Sequence, residues 1–486
     1  MNRLSIVKAP TGFGKTFGYV EEALSNNSKS KLVVAPTNDL KDEIYSDIVK
    51  KFGTDNVMKT PVLEKLKDEE MLEVIERFNK MGLFPAKKKY LNKKMKELEK
   101  KRENGTITET ESFDLSNIKR YINKNKEVNK FEGHVIATHE RLFYFSEKFF
   151  KNHSVIIDED ILKTMLKVRK ISMRQLLELS MFSKEFNRIF DNRIFNIHSA
   201  PYNQTVQIAP MKVKTNEVEK ALKDEYFDFD VMGFINSCCF WKYNPNKEIM
   251  QEHRKLAEKQ EISIKFNRDD EIYFLEKREL PNVDTVIFSA TIEPSLYRNL
   301  LFRDDIEVFD IGEVEIKGKI EQHITNTCSR NDLETHPEKL KKIVEKYPQI
   351  PVENQITFLK FSDENSELHF GNTEGKNCLQ GQDILIVGTP HCNEAVYKLY
   401  AYVLTQFQSD FSNEQMKYQE IEYHKCKFWF NTYDNKFLRD IQLWYINSEL
   451  EQAVGRARVL RNNCTVYLYS NFPIKQATYV DDNIED

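Results

Sequence analysis

The sequence predicts an α/β protein of two tandem parallel-sheet domains, the first carrying two largely helical insertions. Three observations lead there. Short β-branched or apolar runs alternate with helix-period stretches near both ends of the chain. A glycine-rich loop joins the first predicted strand to the first predicted helix. Two long stretches, residues 54–130 and 161–280, interrupt the alternation. The 486 residues leave room for about three domains, which excludes a single small binding module.

The first set of predicted strands is 4–7, 31–35, 134–137, 155–157 and 285–289, and the second is 320–325, 355–360, 383–387, 427–431 and 465–469. The boundary falls near 313–319, giving a first domain at 1–315 and a second at 316–486. The insertion at 54–130 reads as a helical hairpin: Leu91, Met95 and Leu98 share one face, and Gly105 stands where a helix would stop. Its segment 86–130 holds 14 Lys and Arg against 7 Asp and Glu, a local excess of positive charge. The insertion at 161–280 reads as a mixed accessory domain, with helical stretches and a hairpin of 262–266 and 272–275 around residues 267–270.

Composition sets further bounds. With 72 basic and 76 acidic side chains the net charge is −4, so any nucleic-acid surface must be a local patch. The 40% of apolar residues, with 33 Phe and 21 Tyr, supply ordinary cores. No apolar run approaches the roughly 18 residues of a membrane helix, and no apolar core for a secretory signal follows Met1. Seven Cys, none in CxxC spacing, read as reduced thiols of a soluble cytoplasmic protein.

The loop Ala9-Pro-Thr-Gly-Phe-Gly-Lys-Thr16 has the strand-to-helix context of a phosphate-binding loop. Thr11, Gly12, Phe13, Gly14, Lys15 and Thr16 would cradle phosphates, the glycines letting backbone N–H groups converge on the oxygens. Lys15 would reach the β- and γ-phosphates of ATP, and the Thr16 hydroxyl would ligate Mg²⁺. Asp158 and Glu159 end an apolar strand, which suits Asp158 to the Mg²⁺ shell and Glu159 to activating water. An acidic pair at a strand end is otherwise a solvated turn or a helix cap, and the phosphate loop tips the balance toward chemistry.

Four further segments, Ala35-Pro-Thr-Asn-Asp-Leu40, Ala137-Thr-His-Glu-Arg-Leu142, Phe288-Ser-Ala-Thr-Ile292 and Glu451-Gln-Ala-Val-Gly-Arg-Ala-Arg458, complete the set. In this order they resemble motifs I, Ia, Ib, II, III and VI of superfamily 2 helicases, over both α/β domains but neither insertion. The resemblance implies two RecA-like P-loop NTPase domains with ATP between them. It further implies that Thr37 and Thr138 hold phosphates of a nucleic-acid strand, and that Ser289 and Thr291 couple nucleotide to strand. Gln452 would sense the γ-phosphate, and Arg456 and Arg458 would stabilise the transition state. Two guanidinium groups across a closing cleft meet developing charge only on closure.

The loop Phe370-Gly-Asn-Thr-Glu-Gly-Lys-Asn377 resembles motif V of the DinG and XPD type, which implies strand contacts at Glu374 and Gly375. That type also places insertions before motif II and between II and III. The chain departs from the pattern in four places: residues 54–130 contain no Cys, so no iron–sulphur cluster is expected; Asn377 replaces an Asp; Ile161 stands where the acidic box would have His; and the usual spacing would put the second arginine at Val459. Because the chain opens close to its first strand, no upstream adenine-reading segment is expected.

Other features stay open at this level. Ser448-Glu-Leu-Glu451 reads as a capping box starting the helix that bears Gln452. The lesser alternative for Arg456 and Arg458 is a basic last turn that complements a helix dipole. The lysines of 87–102, Lys87, Lys93 and Lys94 among them, are a solvated face or a phosphate track. Phe428, Trp429, Phe430 and Trp444 suit a core, or stacking on bases. His391 with Cys392, and His424 with Cys426, fit no common zinc spacing. The function expected is an ATP-dependent helicase or translocase, on DNA ahead of RNA, without membrane contact; the alternative is an ATPase switch that grips or remodels nucleic acid without unwinding it.

Overall fold

The computed structural model describes residues 2–23, 29–182, 184–222, 225, 227–243, 270–375 and 378–481. The chain opens with β1 (Leu4–Lys8), the glycine loop and α1 (Lys15–Gly18), a single turn continued by a π-helical turn at Tyr19–Ala23. Next come β2 (Ser30–Ala35), α2 (Asn38–Phe52), β3 (Val57–Lys59), α3 (Glu69–Lys80), α4 (Phe84–Glu103) and α5 (Glu109–Val128). Then follow β4 (His134–Thr138), β5 (His153–Asp158), β6 (Leu166–Ser172), β7 (Thr205–Gln207), β8 (Ser237–Tyr243), β9 (Glu271–Lys277), β10 (Thr285–Ser289) and β11 (Glu307–Asp310). The remainder supplies β12 (Lys319–His323), β13 (Gln355–Ile356), β14 (Ile384–Val387), β15 (Met416–Tyr423), β16 (Cys426–Tyr433), β17 (Thr465–Tyr469) and β18 (Thr478–Val480).

Two parallel sheets carry the architecture. The first has the order β11-β1-β10-β5-β2-β4-β3 and the second β13-β14-β17-β12-β18. β5 and β14 are buried along their whole length, as strands covered on both faces must be, which explains their unbroken apolar runs. In the first sheet the phosphate loop, Thr37, Thr138, Asp158 and Ser289 all stand at the carboxyl ends of strands, where the turns leave the sheet and a ligand can reach them.

The first insertion is the helical hairpin of α4 and α5. Gly105, at φ 71°, makes the turn, and Thr108 opens α5 with a reciprocal capping box to Glu111. Leu91 and Leu98 are buried against Leu115, Ile118 and Ile122, with Met95 half-buried beside them. Truncating Leu91 to Ala in this small core should cost about 2–5 kcal/mol.

Several expectations need correction. Residues 57–59 belong to the first sheet as its edge strand, so the helical insertion begins after them. The second insertion is built on an antiparallel sheet, β6-β9-β8-β7, as much as on helices. Its expected strand 262–266 lies outside the described residues, as does Asn377. Residues 427–431 form no part of the second parallel sheet: they lie in an antiparallel ribbon of β15 and β16. Of 355–360, only Gln355 and Ile356 pair as a strand. Ser448 does not start a helix. Asn435 caps one that runs Lys436–Val454, its side chain accepting from the Leu438 amide at 3.1 Å.

The two halves share a core. Helix Glu394–Leu404 of the second half buries Tyr397, Leu399 and Val403 in one cluster with Trp241 and Leu275 of the second insertion and with Leu4 and Ile287 of the first sheet. No helix among the described residues is long and apolar enough to cross a membrane.

Candidate active site

The three acids of the box diverge, and their backbone explains how. Asp158 ends β5, but Glu159 takes φ 71°, a left-handed conformation that costs a side chain of its kind energy. Its amide is held by the Phe288 carbonyl at 2.8 Å. The reversal sends successive carboxylates in different directions. Asp158 Oδ2 accepts from Thr16 Oγ1 at 3.4 Å and from the Tyr19 hydroxyl at 3.2 Å, tying β5 to the phosphate loop. Asp160 accepts from the Tyr297 hydroxyl at 2.5 Å and the Leu162 amide at 2.9 Å, tying it to the helix Pro294–Leu301. Glu159 faces the second domain.

There it meets both domains at once. Glu159 Oε1 lies 3.5 Å from Lys15 Nζ, and Oε2 accepts from Gln452 Nε2 at 3.3 Å. Behind Gln452, Arg456 donates through Nε to the Gln452 carbonyl at 2.9 Å and through Nη2 to Oε1 at 3.2 Å. Lys15, Glu159, Gln452 and Arg456 thus form one polar chain, and the last three are buried. The buried Lys15 ammonium has no hydrogen-bond partner among the described residues, an arrangement that suits an anion. Burial drives the Asp158 carboxyl well above the usual range, helped by the charge of Glu159. Burial pushes Glu159 the same way, but Lys15, Arg456 and the Gln452 hydrogen bond outweigh it and hold that carboxyl below its ordinary value. Of the pair, Glu159 is therefore the one kept ionised.

The loop itself needs its glycines. Gly12 and Gly14 have φ of 86° and 100°. Gly455 of the second domain approaches so closely that a Cβ on it would lie 2.5 Å from Thr11. The stem of Arg458 passes Gly12, and Arg458 itself is left-handed at φ 57°. Phe13 is partly exposed. His139, buried, stays neutral because burial pushes its pKa down to about 4, so its Nε2–H donates to the Asp158 carbonyl at 2.8 Å. Tyr19, His139 and Tyr297 were missed in the sequence, and only the place of His139 in Ala137-Thr-His-Glu-Arg-Leu142 could have flagged it.

The residues assigned to a strand divide into two groups. Thr37 caps α2 through its hydroxyl, and a Cβ on Gly375 (φ 66°) would lie 2.4 Å from that oxygen, so the 374–375 loop abuts Thr37 across the cleft. Thr138 lines a neighbouring cavity of about 580 Å³ with Asn38, Lys87, Lys88, Arg141 and Tyr144. Ser289 and Thr291, by contrast, are buried and turn toward each other, the Thr291 amide donating to Ser289 Oγ at 3.2 Å. Phe428, Phe430 and Trp444 are core, whereas Trp429 is 55% exposed and stacks on Tyr418 at 5.7 Å.

The basic helix also needs correction. Lys87 does not point outward: it is half-buried in α4, donates to Asn79 at 3.1 Å, and has its pKa lowered by burial. Lys93 and Lys94 lie near Glu97, at 3.8 and 3.7 Å, while Lys88, Lys89 and Lys96 are exposed.

An ion pair also crosses the cleft. Lys163 Nζ meets Glu449 at 2.5 Å, Glu449 accepts from the Gly371 amide at 3.0 Å, and Glu374 is pushed up to about 7 by burial and by neighbouring Glu449, Glu159 and Asp160, against the pull of Lys163. A folded-state pKa above the unfolded one means that stability is greatest below about 4.5 and is lost as pH rises through 7. Glu374→Gln should therefore raise stability at pH 8, by on the order of 2 kcal/mol, and leave it unchanged at pH 4. Chemical denaturation at the two pH values checks this; an equal effect at both would show that ionisation of Glu374 is not the cause.

Residues 2–102 match the DEAD/DEAH box helicase family. The solved structure of S. tokodaii Xpd4 aligns with 99% of this chain and 96% of its own, at 11% identity and a TM-score of 0.48. The yeast DEAD-box splicing factor Prp28 aligns with 96% of this chain and 72% of its own, at 12% identity and a TM-score of 0.21. No curated protein matches the chain.

Proposed function

We propose, from a chain whose residues 2–102 match the DEAD/DEAH box helicase family, that the protein is an ATP-hydrolysing helicase or translocase working on nucleic acid, DNA ahead of RNA. The observation that carries this reading is the polar chain Lys15–Glu159–Gln452–Arg456, assembled from both halves of the chain in one cleft. The phosphate loop grips ATP. Glu159, ionised between Lys15 and Gln452, orients and deprotonates the attacking water. Arg456 and Arg458 add positive charge from the second domain, so closure of the cleft and hydrolysis depend on each other. The Thr16 hydroxyl and Asp158 carboxylate, converging at 3.4 Å, are oxygen donors fit for Mg²⁺. Held there, that ion would neutralise phosphate charge.

The strand would run over Thr37, Glu374 and Gly375 and into the cavity at Thr138, so that opening and closing of the cleft shifts its grip. The layout of insertions around the acidic box, nearest the DinG and XPD type, favours DNA. The seven cysteines, read as reduced thiols, fit a cytoplasmic setting. Domain limits of 1–315 and 316–486 fit the change of sheet between β11 and β12.

The test is ATP turnover with single-stranded DNA, duplex DNA and RNA added in turn, together with strand displacement on tailed duplexes. Single-stranded DNA should stimulate turnover most, and the duplex should be unwound. Stimulation without displacement would favour a switch that grips or remodels the strand. Turnover indifferent to every polymer would contradict the reading.

The exposed face of α4 gives a separate test. Changing Lys88, Lys89, Lys93 and Lys96 to Glu should weaken binding of single-stranded DNA of any sequence. It should flatten the dependence of log K on log salt by about two units if three phosphate contacts are lost. Basal ATP turnover should not change. An unaltered slope would mean that these lysines are a solvated face.

A further inference from the structure

We propose that Arg461 supplies a further guanidinium to the nucleotide phosphates, beyond Arg456 and Arg458, a role that the usual spacing would give to residue 459. The inference rests on the nucleotide reading above and names a further residue for it. Position 459 cannot serve, because Val459 is buried in the core of the second domain with Ile320 and Leu468. Its carbonyl is also pinned, accepting from the Lys317 and Gly318 amides at 3.0 and 2.9 Å in the segment between the two sheets.

The turn that follows is held by several hydrogen bonds, and it sends the chain back toward the phosphate loop. Arg458 is left-handed at φ 57°, and its carbonyl accepts from the Arg461 amide at 2.9 Å and the Asn462 amide at 3.1 Å. The Asn462 side chain donates to the same oxygen at 3.1 Å, and the Gly381 amide holds the Ala457 carbonyl at 2.9 Å. From this turn the Arg461 guanidinium crosses to the loop. A Cβ on Gly14 would lie 2.5 Å from Arg461 Nη2, which measures how closely the side-chain end approaches the loop; glycine at 14 is required by its φ of 100°.

What the guanidinium meets there is unusual for an arginine. Among the described residues its side chain has no ion pair or hydrogen bond, and it lies against a loop that already carries Lys15. The Lys15 ammonium of that loop faces the Glu159 carboxylate at 3.5 Å, whereas the guanidinium faces the loop's backbone at Gly14. A planar donor fork at a phosphate-binding loop matches the oxygens of a polyphosphate. Arg456, by comparison, spends two donors on Gln452. Arg461 is the arginine at the loop whose donors are uncommitted.

The experiment measures kcat, KM and nucleotide affinity, with a fluorescent ADP analogue as the binding probe, for Arg461→Ala, Arg461→Lys, Arg458→Ala and Lys15→Ala. Because Arg461 is an exposed turn residue, its variants should melt as the wild type does. Arg461→Ala should lower kcat by about 10²-fold or more, with ADP binding nearly unchanged and partial rescue by Lys. Wild-type kcat in Arg461→Ala, beside an inactive Lys15→Ala, overturns the proposal and leaves the nucleotide reading intact. So does tighter nucleotide binding with undiminished kcat, which would make the guanidinium an obstacle to nucleotide entry. Full activity in Lys15→Ala would remove the nucleotide reading, and this proposal with it.

Discussion

Glu159→Gln should bind ATP as the wild type does and hydrolyse it about 10²- to 10⁴-fold more slowly. The carboxylate is aimed by a left-handed backbone, lies 3.5 Å from the Lys15 ammonium and is held by Gln452 at 3.3 Å. Lys15 and Arg456 keep it ionised despite burial, which is the state a general base needs. Glutamine keeps the shape and an oxygen for Gln452 but cannot take a proton. Single-turnover hydrolysis, with binding of a fluorescent ATP analogue alongside, separates the two effects. An unchanged rate would show that water is activated elsewhere.

Arg456→Ala should lower kcat by about 10³-fold or more, since a guanidinium supplied across an interface acts on charge that develops only in the transition state. The side chain is 2% exposed and its donors hold both oxygens of Gln452, so its removal also loosens the residue that touches Glu159. Some loss of stability must accompany the change, because Gln452 is left with buried acceptors unmet. Arg456→Lys keeps the charge and most of the volume, and melting curves of both variants separate folding from turnover. Loss of activity only in proportion to loss of folded protein would make Arg456 a structural residue.

The parts of this site that were legible in the sequence are those whose chemistry is local. A loop of Gly-Phe-Gly-Lys-Thr16 between strand and helix needs no distant partner to be read, and neither does an acidic box ending a buried strand. The contact of Glu159 with Gln452 spans 293 positions and exists only once both sheets are packed. Nothing in the residue type of Glu159 announces a positive φ; the geometry goes with a hydrogen bond that its amide donates to the distant Phe288 carbonyl. Residues 427–431 show why strand periodicity is insufficient: alternating aromatics mark a strand but cannot say whether its partner is parallel, and the nearby run 416–423 takes it into a ribbon. Ser448 and Glu451 have capping-box spacing, but the helix was already under way from Asn435, and Ser448 is buried inside it. Lys87 was misplaced for a related reason, since a lysine stem can lie along apolar surface and its ammonium found Asn79.

The central claim is that one cleft, floored by the phosphate loop and closed by the second domain, hydrolyses ATP. The most direct measurement is phosphate release from ATP, with Mg²⁺ and single-stranded DNA present, by the wild type and by Lys15→Ala side by side. The account predicts sustained release by the wild type and none above background by the variant, both proteins melting alike. Equal release by the two would contradict it.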